Sequence, residues 1–248
     1  MLKAVSLGPG DISLLTPAAR QAIEEASVVA GYKGYIELVP EEMLEGKTVI
    51  STGMMGEVDR ARQAVEHARA GCKTVMVCSG DAGIYAMAGL LMEVLESEGL
   101  IETVSFEVIP GVAAFNAAAA LLGAPLMHDF ASISLSDLLT PWERIEQRLQ
   151  AAADADFVIA IYNPRSKKRS DHLREALDII GRFRRPDTPV GMVRKAYRAG
   201  QYVETVPLEQ VDVEQVDMQT VLIVGNSATR LVNGRMLTPR GYDRKYNL

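Results

Sequence analysis

Short apolar runs alternate with longer amphipathic stretches along the first half of the chain. Residues 4–7, 74–78 and 107–109 are short runs in which apolar side chains predominate, as is typical of strands. Residues 56–70 and 84–96 place apolar side chains at helical spacing, and an alanine-rich helix is predicted after residue 111, up to residue 122. The repeated order of strand, loop and helix predicts a mostly parallel sheet with helices on both faces.

Capping residues mark the ends of two of these helices. Thr16 and Pro17 are suited to the N-cap and the first position of a helix. Gly71 is suited to the end of the helix at 56–70. The apolar face of that helix is predicted to be formed by Val58, Ala61, Val65 and Ala68.

The pattern breaks at Gly123, Ala124 and Pro125, where we place a domain boundary. The sequence thus predicts an N-terminal α/β domain over residues 1–122 and a C-terminal α/β domain over residues 123–248. Strands are predicted in the second domain at 132–135, 157–162, 189–193, 201–206 and 220–224, and helices at 141–153 and 171–183. The last two strands have no long helix between them, so part of this sheet should be antiparallel. The polar tail after Arg235 is expected to fray.

Composition and charge limit the possible functions. With 248 residues, 48% of them hydrophobic and 23% charged, the chain can bury a full core. The net charge of −6 is uneven, because residues 1–120 carry eight basic and 16 acidic residues whereas residues 121–248 carry 18 and 16. A polyanionic ligand is therefore expected to contact the second domain. An acidic protein without an aromatic-interleaved basic stripe is a poor nucleic-acid binder.

The location expected from the sequence is the cytoplasm. Cys72 and Cys78 are too few for a disulfide framework or a zinc site, and both are expected to be reduced, packed thiols. No apolar run reaches 18 residues, so no membrane span is expected. The N-terminus enters a strand at once, so no signal peptide is expected.

Three glycine-bearing turns each follow an apolar strand of the first domain. They lie at residues 8–11, 79–83 and 110–114. Ligands of parallel α/β sheets bind outside the carboxyl ends of the strands, and glycine lets a ligand approach the main chain. Each turn alone is an ordinary strand-to-helix connection, but the three together predict a crevice lined by backbone. The glycine patterns of dinucleotide-binding folds and of P-loop nucleotidases are absent from the sequence.

The three histidines are widely spaced and show no metal-ligand pattern, so no metal site is expected. We expect His67 and His172 to lie on solvated helix surfaces. His128, beside Asp129 at the domain boundary, is a candidate acid or base.

Two basic loops follow strands of the second domain and are suited to binding carboxylates or phosphates. A solvated loop before a helix is the alternative interpretation of each. Their candidate residues are Arg165, Lys167, Lys168, Arg194 and Lys195.

These motifs, in this order, resemble the tetrapyrrole (corrin/porphyrin) methylase family over essentially the whole chain. The segments that carry the resemblance are residues 8–16, 79–85 and 109–112. Residues 132–142 and 162–166 resemble the branch that methylates C17 of precorrin-3B and contracts the ring, or does the equivalent on a cobalt-bearing intermediate. The sequence leaves the metal-free and cobalt-bearing substrates both open.

The resemblance implies a two-domain α/β fold with the active site in the interdomain cleft, a homodimer, and S-adenosyl-L-methionine as cofactor with S-adenosyl-L-homocysteine as product. Two departures concern the turns, since Ala82 replaces the usual proline and Ala113 replaces a usual hydroxyl residue. The cofactor-binding residues expected from the resemblance are Pro9, Ser79, Gly80, Asp81, Ile84, Ala113, Ala114, Tyr162 and Ala196.

Methyl transfer from a sulfonium depends mainly on placement, whereas ring contraction also requires proton transfer. The candidate acids and bases are Asp137, His128 and Asp129. Three alternatives stay open: another precorrin or uroporphyrinogen methyltransferase of the family, an RNA- or protein-modifying methylase on the same scaffold, and a non-catalytic S-adenosylmethionine-binding protein.

Overall fold

A computed structural model describes residues 1–166 and 169–247 of the chain. By its internal contacts the chain divides into two compact units, Met1–Ala114 and Phe115–Leu248. This division precedes the alanine-rich helix, whereas the sequence places the boundary after it. The boundary at residues 122/123 stays a prediction.

The first unit contains a five-stranded sheet in the order β3-β2-β4-β1-β5, in which all neighbouring strands are parallel. The predicted mostly parallel sheet is therefore confirmed. Two of its strands, β2 and β3, were not predicted. The elements are β1 (Leu2–Ser6), α1 (Pro17–Glu25), β2 (Val28–Tyr32), α2 (Lys33–Ile36), β3 (Thr48–Thr52), α3 (Glu57–Arg69), β4 (Thr74–Cys78), α4 (Met87–Ser97) and β5 (Phe106–Ile109).

Both faces of this sheet are covered, which explains why β4 is apolar at every position. Met76 and Cys78 of β4 pack in a cluster with α3 and α4, and Val75 and Val77 pack on the other face with α1. On α3, the predicted face is buried at Ala61, Val65 and Ala68. The prediction was wrong for Val58, which is exposed because it lies in the first turn, on the solvent side.

The predicted caps of the first unit are confirmed. The Thr16 hydroxyl accepts a hydrogen bond from the Ala19 N–H at 3.2 Å, with Pro17 at the first helical position. Gly71 follows α3 with φ +91°. Helix α4 begins at residue 87 rather than 84, because Tyr85 has φ +52° and interrupts the helical path.

The second unit contains a five-stranded sheet in the order β10-β9-β11-β8-β7. Strands β7 and β8 are parallel, whereas β11 is antiparallel to β8 and β9, and β10 is antiparallel to β9. The predicted mixed sheet is confirmed. The elements are α5 (Ala114–Leu122), β6 (Gly123–Ala124), β7 (Phe130–Ser134), α6 (Trp142–Asp154), β8 (Val158–Tyr162), α7 (His172–Gly181), β9 (Pro189–Arg194), β10 (Tyr202–Pro207), β11 (Thr220–Val224), β12 (Arg230–Val232) and β13 (Arg235–Leu237).

The expected fraying after Arg235 is wrong for the first part of the tail. Strand β13 pairs with β12 on one side and with β6 on the other. Met236 and Thr238 are buried, so apolar packing and strand pairing hold this segment in place. Gly123, which we read as a chain break, belongs to β6.

One buried arginine connects three segments of the second unit. The Arg184 guanidinium donates hydrogen bonds to the carbonyl oxygens of Ala153 at 2.7 Å, Phe157 at 2.8 Å and Gly225 at 3.1 Å. Its Nη1 also lies 3.2 Å from the Asp156 carboxylate. This side chain thus supplies charged donors to carbonyl groups at the end of α6, just after it and beside β11.

The two cysteines are free, as predicted. Burial raises the pKa of the Cys78 thiol to about 11. Across residues 1–166 and 169–247, we find no helix with the length and apolar character needed to cross a membrane.

Candidate functional site

The three glycine turns of the first unit come together at one edge of its sheet. They follow β4, β1 and β5, which are neighbours in that order. Gly8 and Gly80 form a short antiparallel bridge, in which the Gly8 N–H donates to the Gly80 carbonyl at 3.0 Å and the Gly80 N–H donates to the Gly8 carbonyl at 2.7 Å. The predicted grouping of the turns is confirmed.

This bridge changes how the site can recognise a ligand. The sequence suggested that glycine N–H and C=O groups would face the ligand, but those of Gly8 and Gly80 bond to each other. Both residues have positive φ, +68° and +70°, a conformation that glycine adopts without strain. The main-chain groups of these two glycines therefore hold the first two turns together at this edge of the sheet.

A buried hydroxyl and a carboxylate hold the three turns in register. The Ser6 hydroxyl donates to the Ile109 carbonyl at 2.6 Å and accepts from the Ala82 N–H at 2.8 Å. The Asp81 carboxylate accepts from the Gly111 N–H at 3.0 Å and from the Gly83 N–H at 2.8 Å. Both groups connect the second turn to the third, which assigns them a framework role that sequence reasoning missed for Ser6.

Close packing explains the glycine of the third turn. A Cβ atom on Gly111 would lie 2.5 Å from the Ser6 Cβ and 3.0 Å from the Gly80 carbonyl oxygen. Ala82 is fully buried, so the residue that replaces the family's proline packs inside the turn. Ala113 is also buried, which leaves its small side chain in the wall of the turn.

The remaining residues predicted to bind the cofactor differ in exposure. Pro9 is buried, whereas Ser79, Ile84, Ala114 and Ala196 are half-buried. Tyr85, which we did not predict, is 52% exposed beside the second turn and has positive φ. A bulky residue in this conformation is uncommon, and such strain is often found at functional sites.

Tyr162, at the end of β8, contacts the beginning of α5. Its hydroxyl accepts a hydrogen bond from the Phe115 N–H at 2.9 Å, and the two rings meet edge to face with centroids 6.3 Å apart. The first N–H groups of a helix lack partners within the helix, so Tyr162 satisfies one of them.

Parallel strands β7 and β8 of the second unit end side by side, and polar side chains join the loops that follow. The Asn163 amide donates to the Ser134 hydroxyl at 2.9 Å, and the same hydroxyl accepts from the Ser136 N–H at 3.2 Å. Asn163 has φ +51°, a left-handed conformation that asparagine tolerates.

Asp137 lies next to these loops in a cluster that we call the Asp137 cluster, formed with Trp142, Arg169 and His172. The Asp137 carboxylate oxygens lie 3.8 Å from Arg169 Nε and 3.8 Å from His172 Nε2. The His172 ring stacks on Trp142 with centroids 4.1 Å apart and planes 11° apart. The expectation of a solvated His172 was wrong, because Trp142 and the loop after β7 cover it and leave its side chain only 17% exposed.

His128 and Asp129 form a separate, exposed pair. The Asp129 N–H donates to His128 Nδ1 at 2.8 Å, and the side chains are 46% and 77% exposed. They stay candidate catalytic residues, and both side chains are more exposed than that of Asp137, which is 36% exposed.

The basic loops differ from each other. Arg165 donates to the carbonyl oxygens of Val213 and Glu214 and pairs with the Glu214 carboxylate, so much of its hydrogen-bonding capacity is used within the protein. Arg194 Nε is buried without a hydrogen-bond partner among the described residues, and Lys195 has φ +51°. Lys167 and Lys168 lie outside the described residues.

Relatives of known name cover the whole chain. It is 49% identical over 249 residues to the cobalt-factor III methyltransferase of Priestia megaterium, spanning 100% of this chain and 46% of that protein. It is 48% identical over 242 residues to the probable cobalt-factor III C(17)-methyltransferase of Salmonella typhimurium, spanning 98% of this chain and 99% of that protein. The precorrin-3B C(17)-methyltransferase of a Sinorhizobium species is 39% identical, with 97% and 96% covered. The chain thus spans about half of the first relative and nearly all of the other two.

Two solved structures of methyltransferases are similar to this chain in fold. The crystal structure of the methyltransferase CobJ matches with a TM-score of 0.92 at 40% identity, covering 96% of this chain and 99% of that one. Uroporphyrin-III C-methyl transferase from Thermus thermophilus, crystallised with S-adenyl homocysteine, matches with a TM-score of 0.66 at 25% identity, covering 90% and 96%. The sequence model of one family matches residues 1–212. The chain therefore belongs to the Tetrapyrrole (Corrin/Porphyrin) Methylases.

Proposed function

We propose that this protein transfers a methyl group from S-adenosyl-L-methionine to C17 of a cobalt-bearing tetrapyrrole, cobalt-factor III, with contraction of the ring. The observation that carries the proposal is the 48% identity to the Salmonella typhimurium protein over nearly the full length of both chains. The relatives that are 49% and 48% identical both carry the cobalt-factor III name, which favours the cobalt-bearing substrate; at 39% identity the chain matches one enzyme of each name.

The cofactor site of this proposal is the crevice formed by the three glycine turns. The bridge between Gly8 and Gly80, with the Ser6 and Asp81 hydrogen bonds, fixes its shape before the cofactor binds. A preformed site reduces the entropy lost on binding and places the sulfonium. The residues proposed at this site are Pro9, Ser79, Gly80, Asp81, Ile84, Ala113 and Ala114. Tyr162 and Ala196 stay proposed cofactor-binding residues on the resemblance to the family.

The methyl-transfer step needs little from the protein beyond placement. An electron-rich carbon of the tetrapyrrole attacks the methyl group, a C–C bond forms, and the C–S bond breaks. Its electron pair stays on sulfur, and S-adenosyl-L-homocysteine leaves as a neutral thioether. The sulfonium is already activated, so a nucleophilic side chain is not required.

The second unit supplies the charges for the substrate. Arg194 is the last residue of β9 and Lys195 follows it. The buried Arg194 Nε, which has no hydrogen-bond partner among the described residues, is a donor suited to a carboxylate. Lys167 and Lys168 belong to the same proposal on sequence grounds. Arg165 is its weakest member, because the Glu214 carboxylate already engages it.

Proton transfer during ring contraction is assigned to Asp137. Its carboxylate lies beside two side chains, Arg169 and His172, that can orient it. His128 and Asp129 are the alternatives. A homodimer and a cytoplasmic location complete the proposal and follow from the resemblance to the family.

Turnover of two substrates tests this function. The purified protein is incubated with S-adenosyl-L-methionine and either cobalt-factor III or precorrin-3B, and mass spectrometry follows the added methyl group. The proposal predicts faster methylation of cobalt-factor III. Faster turnover of precorrin-3B would move the assignment to the metal-free substrate. Cofactor binding in calorimetry with turnover of neither substrate would favour a non-catalytic binding protein.

A further inference from the structure

The Asp137 cluster contains a histidine whose hydrogen positions can be worked out from its neighbours. His172 Nδ1 lies 3.3 Å from the Leu135 carbonyl oxygen. A carbonyl oxygen only accepts hydrogen bonds, so this contact requires the ring hydrogen to be on Nδ1. The tautomer of the neutral ring is therefore fixed, and its lone pair is on Nε2.

In this tautomer, the unprotonated ring nitrogen is the one that lies near the Asp137 carboxylate. His172 Nε2 lies 3.8 Å from an Asp137 carboxylate oxygen. An unprotonated Nε2 and a carboxylate would present lone pairs to each other, which is unfavourable. At 3.8 Å the two groups are farther apart than a hydrogen bond, and a proton on either of them makes their approach attractive. The two groups are thus placed so that one can pass a proton to the other when they close to hydrogen-bond distance.

The surrounding groups orient both members of the pair. Arg169 Nε lies 3.8 Å from the other Asp137 oxygen, and Arg169 Nη1 donates to the Leu135 carbonyl at 3.0 Å. The face of the Trp142 indole lies against the His172 ring, and such a face attracts a cation. Asp137 and Arg169 are the charged groups that face His172 in these contacts. Asp137 is 36% exposed and His172 17%, so the carboxyl is the member open to a substrate.

We propose that His172 is a positioning residue that supplies Asp137 with the proton used in ring contraction. The inference rests on the function proposed above. The proton on His172 Nε2 passes to Asp137, and Asp137 gives that same proton to an electron-rich atom of the tetrapyrrole as the ring contracts. The pair is left as a carboxylate beside a neutral imidazole, and one proton from solvent restores it. In this relay a single proton moves.

Chemical rescue tests this role. His172→Ala removes the imidazole beside Trp142, and millimolar imidazole is then added to the assay with cobalt-factor III. Mass spectrometry reports methylation, and the absorption spectrum reports the state of the macrocycle. We expect methylation within a few-fold of wild type and contraction slower by about 10²–10⁴-fold, the usual contribution of general acid–base catalysis. Added imidazole should restore much of the contraction.

Two variants serve as controls. His67→Ala removes a half-buried histidine in the last turn of α3, outside the proposed sites, and should neither slow contraction selectively nor respond to imidazole. Asp137→Asn should also slow contraction more than methylation, but imidazole should not rescue it, because the group that contacts the substrate is missing. Where His172→Ala fails to fold, His172→Gln replaces it in the same assay, and contraction should again slow more than methylation.

The outcomes separate this inference from the proposed function. Wild-type contraction in a folded His172→Ala protein would overturn the role of His172. Loss of methylation and contraction together, without imidazole rescue, would also overturn it and make the residue structural. Failure of the wild-type protein to methylate either tetrapyrrole would instead refute the proposed function.

Discussion

Substitution of Gly111 by alanine should damage the cofactor crevice more than the size of a methyl group suggests. The added Cβ would lie 2.5 Å from the Ser6 Cβ and 3.0 Å from the Gly80 carbonyl oxygen. Neither neighbour can move freely. The Ser6 hydroxyl bonds to Ile109 and Ala82, and the Gly80 carbonyl accepts from the Gly8 N–H.

The size of the effect follows from these contacts. Inserting a methyl group into a packed site typically costs about 1–3 kcal/mol. Relief of the clash by shifting the third turn would lengthen the bond from the Gly111 N–H to Asp81, and a buried group left unsatisfied costs about 1–3 kcal/mol more. We therefore expect a loss of roughly 2–6 kcal/mol in the free energy of unfolding. Cofactor affinity should fall at least tenfold, which corresponds to about 1.4 kcal/mol.

Gly89→Ala is the matched control for this measurement. Gly89 lies in α4, and a Cβ there meets no atom within 4 Å. Alanine is the better helix former by about 1 kcal/mol, so this variant should be as stable as wild type or more so. Denaturant unfolding gives the stability, and titration calorimetry with S-adenosyl-L-homocysteine gives the affinity. Wild-type stability and affinity in Gly111→Ala would refute the argument that these turns form a tightly packed crevice.

Three further predictions concern the rest of the chain. Arg184→Met should lower the free energy of unfolding by about 3 kcal/mol or more, measured in urea, because three carbonyl groups lose a charged donor. Ellman's reagent at pH 8 should label Cys72 before Cys78 in the native protein, because burial raises the Cys78 pKa to about 11. The unfolded thiol ionises near 9.0, so this residue should make the folded state lose stability as pH rises from about 9 towards 11; a flat difference from Cys78→Ala over that range would contradict it. Replacing Lys167 and Lys168 together by alanine should weaken tetrapyrrole binding and its salt dependence without changing cofactor affinity, and equal tetrapyrrole binding at low ionic strength would show a solvated loop instead.

The elements that the sequence predicted well are those whose side chains are dictated by local burial. Strand β4 was predicted at its observed bounds, because a strand covered on both faces is apolar throughout. Strand β3 was missed because it is an edge strand, with only one of its five residues buried, and it has no continuous apolar run. Strand β2 was missed because it contains Gly31, whose position is crowded by Val77 and Ile36 in the folded protein. That requirement for a small residue is invisible in the local pattern.

In the candidate site, too, the sequence predicted the features that depend on local residues and missed those that depend on the strand order. The three glycine turns could be identified, because each follows a predicted strand and parallel strands end at the same edge. The pairing of Gly8 with Gly80 and the Ser6 hydrogen bonds depend on strand order, which the sequence did not specify. His172 was misjudged because the residue that covers it, Trp142, is 30 positions earlier in the chain. The sequence did place His172 at the start of a predicted helix and three residues after Arg169, and this spacing could have indicated that the two side chains lie near each other.

The position of the transferred methyl group tests the account most directly. Cobalt-factor III is incubated with the protein and S-adenosyl-L-methionine that carries ¹³C in its methyl group, and the purified product is examined by carbon NMR. The proposed function predicts a single labelled methyl group on C17, with one S-adenosyl-L-homocysteine formed for each methyl transferred. A label on another carbon, or no label in the tetrapyrrole despite cofactor binding, would contradict it.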